Sequence, residues 1–175
     1  MRLLIKYKIP FFLLLAVICG TLLVNSCKKD NSDTVAYFLT NGTWQLAAVQ
    51  TQTFVGDTLK RTDTLNTNCG LNQLFKFNNN NSCTYSNYHC ITQSSAGTWQ
   101  LASNDLILQT TLAAQDTAKG VVVTKPASVF TNAQIINLGQ YSFVLQTGDT
   151  SPYYTSKTRR VITRYAFVHC TTCSN

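Results

Sequence analysis

Short segments in which apolar and polar residues alternate with a period of two constrain this chain more than any other feature. Trp44, Leu46 and Ala48 fall on one side of such a segment, and Phe75 and Phe77 fall on one side of the next. Successive side chains of a β-strand point to opposite faces, so this alternation is typical of strands with one buried face. Abundant Thr, Val, Tyr and Phe favour the same structure, and all seven acidic residues are Asp, with no Glu.

Turn signals at regular spacing divide the chain into hairpins. Asn78-Asn79-Asn80-Asn81 and Ser103-Asn104-Asp105 are rich in residues that tolerate left-handed backbone angles. The predicted strands are 43–48, 74–77, 82–88, 98–101, 106–111, 118–124, 133–138, 140–147 and 158–170. Strands at such spacing are typical of an antiparallel sandwich or barrel, and closure removes exposed edges. We therefore predict an all-β fold, a single antiparallel β-barrel of about eight to ten strands.

Two further segments precede and interrupt this pattern. Asp33 is expected to cap a short helix that runs to Leu39, because Asn41-Gly42 follows and breaks it. Segment 51–72 is long and polar, and we expect it to be a loop joined to a strand end.

The first residues of the chain have the order of a secretory signal. Arg2, Lys6 and Lys8 precede an apolar run over 9–24, and Val24-Asn25-Ser26-Cys27 follows. This junction resembles the lipobox of bacterial lipoproteins, in which the cysteine is acylated and becomes the new N-terminus. The apolar run is shorter than the roughly 20 residues of a spanning helix. A transmembrane anchor and cleavage by a general signal peptidase remain alternatives.

The resemblance implies a division of the chain and an address. Residues 1–26 are expected to be a cleaved signal, 27–33 a tether and 34–175 the barrel domain. Cys27 is the expected site of lipid attachment, including palmitate, and the acyl chains would hold the protein in the membrane. Lys28 after the cysteine implies the Gram-negative outer membrane, with the face left open. Removing Arg2, Lys6 and Lys8 lowers the formal charge from +7 to +4, which argues against nucleic-acid binding.

Asn41-Gly42-Thr43-Trp44 after a short helix resembles the Gly-x-Trp opening of the lipocalin fold. The order of features that follows is similar to the lipocalin-like domains of secreted bacterial lipoproteins, and it extends the likeness over about 35–108. These features are Cys69, Phe75, Phe77, the Asn-rich turn, Cys90, Ala96-Gly97-Thr98-Trp99 and Leu106-Ile107-Leu108.

The resemblance also implies two structural contacts. Cys69 and Cys90 are expected to form a disulfide, which would stabilise the fold by roughly 3 kcal/mol. In lipocalins an Arg on the last barrel strand often packs across the Gly-x-Trp tryptophan. Arg164, or as a second choice Arg160, is the expected partner of Trp44.

The remaining cysteines allow several arrangements in an oxidising compartment. Cys170 and Cys173 are expected to form a local disulfide at the chain end. Cys83 would then be either buried in a strand or paired with one of those two. A zinc site that combines His169-Cys170 with His89-Cys90, and a redox role for Cys170-Thr171-Thr172-Cys173, are weaker alternatives. We expect no metal.

Binding is the function class that the sequence favours, because no catalytic constellation and no cofactor motif is present. An eight-stranded barrel is either filled by side chains or holds one small ligand, here a hydrophobic or amphipathic one. The candidate lining residues are Trp44, Phe75, Phe77, Trp99, Tyr141, Phe143 and Leu145. The alternative is a filled barrel that contacts an envelope partner through its loops. An enzyme using Cys or Ser with His89 or His169 is the third class.

Overall fold

The computed structural model of the chain describes residues 31–65, 70–118, 121–122 and 126–173. A helix, α1 (Asn31–Thr40), precedes the strands, and a 3₁₀ turn (Tyr88–Cys90) lies between the fourth and fifth of them. The described strands are β1 (Thr43–Val55), β2 (Thr58–Leu65), β3 (Leu74–Phe77), β4 (Ser82–Ser86), β5 (Ser94–Ala102), β6 (Ile107–Thr110), β7 (Ala113–Ala114), β8 (Thr117–Ala118), β9 (Val121–Val122), β10 (Ala127–Ser128), β11 (Ala133–Leu138), β12 (Ser142–Gly148) and β13 (Arg159–Cys170). Among these residues no helix has the length and apolarity that a membrane span requires.

Eight of the described strands close into an antiparallel barrel, which confirms the predicted fold class. Their order around the barrel is β1-β3-β4-β5-β6-β11-β12-β13, and β13 pairs with β1 to complete the ring. Most neighbouring strands in this order are hairpins of strands that follow one another in the chain, and those from β3 to β4, β5 to β6 and β11 to β12 have short turns. Asn81 and all three residues of Ser103-Asn104-Asp105 have positive φ, as the sequence predicts for tight turns.

The short N-terminal helix is also present, but its predicted cap is wrong. The described part of α1 begins at Asn31, so Asp33 lies inside the helix. Asn31, Ser32 and Asp33 are all residue types that cap helices, and the sequence alone does not select among them. The helix ends where predicted, because Gly42 takes a φ of 132° and a Cβ there would lie 2.0 Å from Nε2 of His169.

A β-bulge in β1 changes which of its residues face the interior. The register against β13 shifts between Leu46 and Ala48, so two residues of β1 oppose one of β13. Val49 therefore takes the interior position and is 3% exposed, whereas Ala48 is only partly buried. The prediction that Ala48 shares the face of Trp44 and Leu46 is wrong for this reason.

Segment 51–72 is mainly strand rather than the predicted loop. β1 continues to Val55 and turns through Gly56 and Asp57 into β2, which pairs back on it from Val55↔Thr58 to Val49↔Leu65. On its other side this part of β1 pairs with 159–165 of β13. We call β2 with 51–55 and 159–163 the projecting sheet, because its outer part extends past β12, which ends opposite Ile162. β2 is exposed on both faces and residues 51–55 are uniformly half-buried, so neither shows the alternation that identifies a strand with one buried face.

The predicted strand 118–124 is not a single strand. Ala118 pairs with Val121 and Thr117 with Val122, so β8 and β9 form a two-residue hairpin. Residues 119–120 and 123–125 lie outside the described part of the chain.

The described cysteines resolve part of the predicted pairing. Cys170 and Cys173 form the local disulfide, and Cys90 is also disulfide-bonded. Cys83 is a free thiol in β4 with no exposed surface, so its pairing with either terminal cysteine is excluded. Cys27 and Cys69 lie outside the described residues, as does the boundary at residue 26, so the lipid attachment, the Cys69–Cys90 bridge and the division of the chain stay predictions.

The buried thiol of Cys83 gives a test of the barrel. Burial raises the pKa of Cys83 from 9.0 to about 12, so the folded state keeps the thiol protonated at pH 8 and hidden from reagents. We expect iodoacetamide to leave the Cys83 peptide unmodified in the native chain and to alkylate it fully in urea, as read by peptide mass mapping. Equal labelling rates in the two conditions would contradict the fold. The raised pKa also means that this group's contribution to stability is present below pH 9 and is lost as the pH rises towards 12.

Candidate functional site

Aromatic side chains fill the interior of the barrel. Five of the six predicted lining aromatics are buried there, with exposed fractions of 0 to 5%: Trp44, Phe75, Phe77, Trp99 and Phe143. Their rings contact each other, with centroids 4.1 Å apart for Phe75 and Phe77 and 6.1 Å apart for Phe77 and Phe143. Leu145, the remaining aliphatic candidate, is also fully buried. The lining residues therefore pack mainly against one another.

The prediction that a sixth aromatic, Tyr141, lines the interior is wrong. Tyr141 is 68% exposed and precedes β12, which begins at Ser142 rather than at Gln140. Gly139 N–H donates to Ser142 O at 2.9 Å, so residues 139–142 form a tight turn that takes Tyr141 out of the strand pair. Alternation with Phe143 and Leu145 suggested an inward position, but alternation holds only within a strand.

The contact predicted between Trp44 and Arg164 is wrong, and His169 takes that place. Arg164 alternates with the inward Tyr165, and its Nε donates to Oε1 of Gln146 at 3.0 Å. The second choice, Arg160, lies at the far end of β13 over Phe54. The His169 and Trp44 rings meet edge to face, with centroids 5.5 Å apart, because the two residues are paired across β13 and β1.

The helix closes this end of the barrel around the same tryptophan. Trp44 Nε1 donates to Leu39 O at 3.0 Å, and Leu39 is fully buried. His169 also interacts with Asn41 O at 2.7 Å through Nε2, so the last strand is tied to the residue that follows α1. Gly42 lies beside this contact, and a Cβ on Gly42 would collide with the imidazole of His169. We call this end the closed end.

The opposite end is covered by the segments on either side of the β7–β10 pair. Leu112, Ala114, Val129 and Phe130 are buried to between 0 and 5% exposure, and Val129 N–H donates to Leu112 O at 3.0 Å. The Phe130 ring enters the barrel and stacks on Phe75, with centroids 5.5 Å apart and planes inclined by 22°. Sequence reasoning missed these residues because they lie outside any alternating segment.

Phe130 holds a backbone conformation that a bulky side chain rarely adopts. Its φ is 54°, in the left-handed region, at a cost of about 1–3 kcal/mol. Thr110 fixes this geometry, since its N–H donates to Phe130 O at 3.1 Å and its hydroxyl donates to Val129 O at 2.5 Å. The strain persists because burial of the ring offsets it, burial of a phenylalanine being worth about 1.5–3 kcal/mol.

Behind Phe130 lies a buried hydroxyl without a partner. Tyr85 is fully buried, and its hydroxyl has no hydrogen-bond partner among the described residues. Burial holds the pKa of Tyr85 well above its ordinary value of 10.0, with smaller contributions from Tyr88 and Tyr165. A buried polar group left unsatisfied costs about 1–3 kcal/mol, so this hydroxyl is an available donor inside the barrel.

Two more tyrosines complete this end of the barrel. Tyr165 meets the Phe130 ring edge-on, with ring centroids 5.0 Å apart, and its side chain interacts electrostatically with that of Tyr88. Burial raises the pKa of both above 10.0. We call Tyr85, Tyr88, Phe130 and Tyr165 the mouth cluster. It combines apolar rings with three hydroxyl groups, as sites for small amphipathic molecules do.

His89 and His169 each make contacts at one end of the barrel. The His89 ring stacks on Tyr88 with centroids 4.0 Å apart, and its Nδ1 lies 2.6 Å from Oδ1 of Asp116. Cys90 and Cys170, the cysteines beside the two histidines, are in disulfides. Within the described residues, no group of three or more His, Cys, Asp or Glu side chains is placed to hold a metal ion.

A depression of about 890 Å³ lies on the outside of the barrel wall rather than within it. Lys76, Thr84 and Ser86 line it from β3 and β4, and they alternate with the inward aromatics of those strands.

Comparison with known families identifies the class of protein that this barrel represents. A sequence model described as a lipocalin-like domain matches residues 40–145, from the end of α1 into β12. The match covers more than half of the chain, so the chain belongs to the lipocalin-like domain family. A barrel of this kind suits the binding of a small hydrophobic ligand. No curated protein matches the chain.

Proposed function

We propose that this protein binds a small amphipathic ligand at the mouth cluster of its barrel while a lipid on Cys27 holds it in the cell envelope. The observation that carries the binding proposal is the pairing of Phe130, strained and inserted in the barrel, with the unpartnered hydroxyl of Tyr85 behind it. The role is binding rather than catalysis.

The energetics favour exchange of the Phe130 ring for a ligand ring. Withdrawing Phe130 loses about 1.5–3 kcal/mol of burial and releases about 1–3 kcal/mol of backbone strain. These quantities are of similar size, so a ligand that buries a similar apolar area replaces the ring at little net cost. The ligand's apolar part would then stack on Phe75, as Phe130 does.

The hydroxyl of Tyr85 defines the polar part of the ligand. Because it is a free donor, the matching group is an acceptor such as a carbonyl or an ether oxygen. Deeper residues restrict the ligand to about one or two rings, since Phe77, Trp99 and Phe143 already contact each other or their neighbours.

The envelope address rests on the sequence of the first residues. The positive start, the apolar run and Ser26-Cys27 support lipid attachment at Cys27, and Lys28 supports the outer membrane. An oxidising compartment agrees with the disulfide between Cys170 and Cys173.

A second candidate function is a filled barrel that acts through its surface, and the packed aromatic interior favours it. The two functions differ in one respect. Ligand binding requires Phe130 to leave the barrel, whereas a surface module keeps it in place.

Benzophenone is a suitable probe of the mouth cluster, because it is a neutral two-ring ketone that attaches to nearby C–H groups on irradiation. We expect adducts on peptides that contain Phe130 or Tyr165 in the full chain, mapped by mass spectrometry. Tyr85→Phe should lower the yield at a given probe concentration roughly fivefold, as for one net hydrogen bond of ~1 kcal/mol. Phe130→Gly should raise it, because glycine adopts positive φ freely and leaves the ring's space open.

Tyr141→Phe is the matched control, since it removes an exposed hydroxyl far from the interior and should leave the yield unchanged. Adducts confined to the outer wall, or equal yields in native and Tyr85→Phe chains, would show that the mouth cluster is not the ligand site.

Lipid attachment is tested separately by labelling cells with radioactive palmitate. We expect label in the native chain and none in Cys27→Ala, because the thioether forms on that sulfur. Cys19→Ala removes a cysteine from the signal and should keep the label. Equal incorporation in the Cys27→Ala chain would end the anchoring proposal without affecting the ligand site.

A further inference from the structure

Among the residues that the structure describes, positive charge is concentrated at one end of the barrel. The described residues include seven Lys and Arg side chains, and only Lys76 and Arg164 of these belong to the barrel wall. The other five lie at the outer end of the projecting sheet and in the segment that precedes β13: Lys60, Arg61, Lys157, Arg159 and Arg160. We call residues 54–61 with 149–161 the tip. In a chain with only 12% charged residues, such clustering marks a distinct surface.

Arg160 makes the tip rigid. Its guanidinium lies 3.5 Å from the ring centroid of Tyr154, and its Nη2 donates to Gly56 O at 2.9 Å. Gly56 N–H donates to Thr158 O at 2.9 Å, and a Cβ on Gly56 would lie 2.7 Å from Ser156 O. The β1–β2 turn and the segment before β13 are thus held together, which fixes the positions of the other cations.

The cations of the tip outnumber the nearby carboxylates. Asp57 lies 4.0 Å from Arg160 Nη2 and accepts the Tyr154 hydroxyl at 2.5 Å. Asp63, just beyond the tip on β2, accepts Arg61 Nε at 2.7 Å, and Asp149 accepts Val161 N–H at 2.8 Å.

Three of the five cations are not paired with a carboxylate. Lys60, Lys157 and Arg159 are exposed, and none of them forms an ion pair within the described part of the chain. Tyr153, in the 149–161 part of the tip, has 91% of its surface exposed. The tip therefore presents a net positive charge together with an exposed aromatic ring.

We infer that the tip binds an acidic polysaccharide, such as a polymer of uronic acids. Three exposed cations on separate segments of the tip suit a ligand with repeated carboxylates, whereas a single small anion needs donors that converge in a pocket. The face of an exposed tyrosine suits the apolar face of a sugar ring. A polyanion with regularly spaced charges and rings matches both features.

The position of the tip favours a glycan over the headgroups of the protein's own membrane, and this step rests on the proposed lipid anchor. β1 starts next to α1 and runs for 13 residues to the tip, a length of about 43 Å at ~3.3 Å per residue. α1 and the tip thus lie towards opposite ends of β1. Together with the proposed anchor before α1, this arrangement favours contact of the tip with material beyond the membrane.

The experiment measures retention of the full chain, in non-ionic detergent, on immobilised alginate, with neutral pullulan as the control matrix. We expect salt-dependent retention on alginate alone, because exposed charges are screened as ionic strength rises. The triple variant Lys60→Gln, Lys157→Gln, Arg159→Gln should bind alginate about tenfold more weakly, since three contacts of ~0.5 kcal/mol act together. Lys76→Gln removes one charge from the barrel wall and should bind as the native chain does. Tyr153→Ser should weaken binding severalfold with no change of charge.

Equal retention of the native and triple-variant chains would overturn the proposal, as would equal retention on pullulan. Binding to vesicles that contain phosphatidylglycerol, without binding to alginate, would mean that the tip binds a lipid surface rather than a glycan, and this result would also overturn the proposal. Unchanged binding by Tyr153→Ser would show that no sugar ring packs on Tyr153, which would contradict a glycan ligand. The triple variant should keep Cys83 protected and keep its benzophenone adducts, so loss of alginate binding is separate from unfolding and from failure of the ligand site.

Discussion

Contact between inward aromatic rings is the interaction on which the rest of this molecule depends. Phe75 lies at its centre, with ring centroids of Phe77, Tyr85, Phe130 and Phe167 between 4.1 and 6.1 Å away. These side chains come from three strands and one connecting segment, so their packing brings distant parts of the chain together. Close packing makes such a cluster sensitive to any change in volume, and it leaves a ligand no free space until one ring moves.

Much of the barrel could be predicted from the sequence, and the exceptions have physical causes. Alternation and turn residues identified the hairpins because both are local properties of the chain. The bulge before Ala48 depends on how β1 fits β13, and the contact between His169 and Trp44 depends on the register of distant strands. Phe130 could not be found by pattern, since it reaches the interior from a connecting segment through a positive φ. β2 has no buried residue that would produce alternation.

The molecule separates its proposed tasks in space. The closed end carries α1, the mouth cluster lies at the other end of the barrel, and the tip extends beyond it. The described barrel wall holds few charges, so the cations of the tip stand out electrostatically, while the mouth cluster offers neutral hydroxyls and rings. An uncharged ligand and an acidic polymer would therefore bind at different places.

Local opening at Phe130 is the claim on which the ligand site depends, and amide hydrogen exchange tests it most directly. Thr110 N–H is bonded to Phe130 O, whereas the adjacent Thr111 N–H is bonded to Thr98 O in the barrel wall. If Phe130 withdraws while the barrel stays folded, the Thr110 amide exchanges roughly tenfold or more faster than that of Thr111. Equal protection of the two amides would mean that Phe130 leaves only on global unfolding, which would contradict the account.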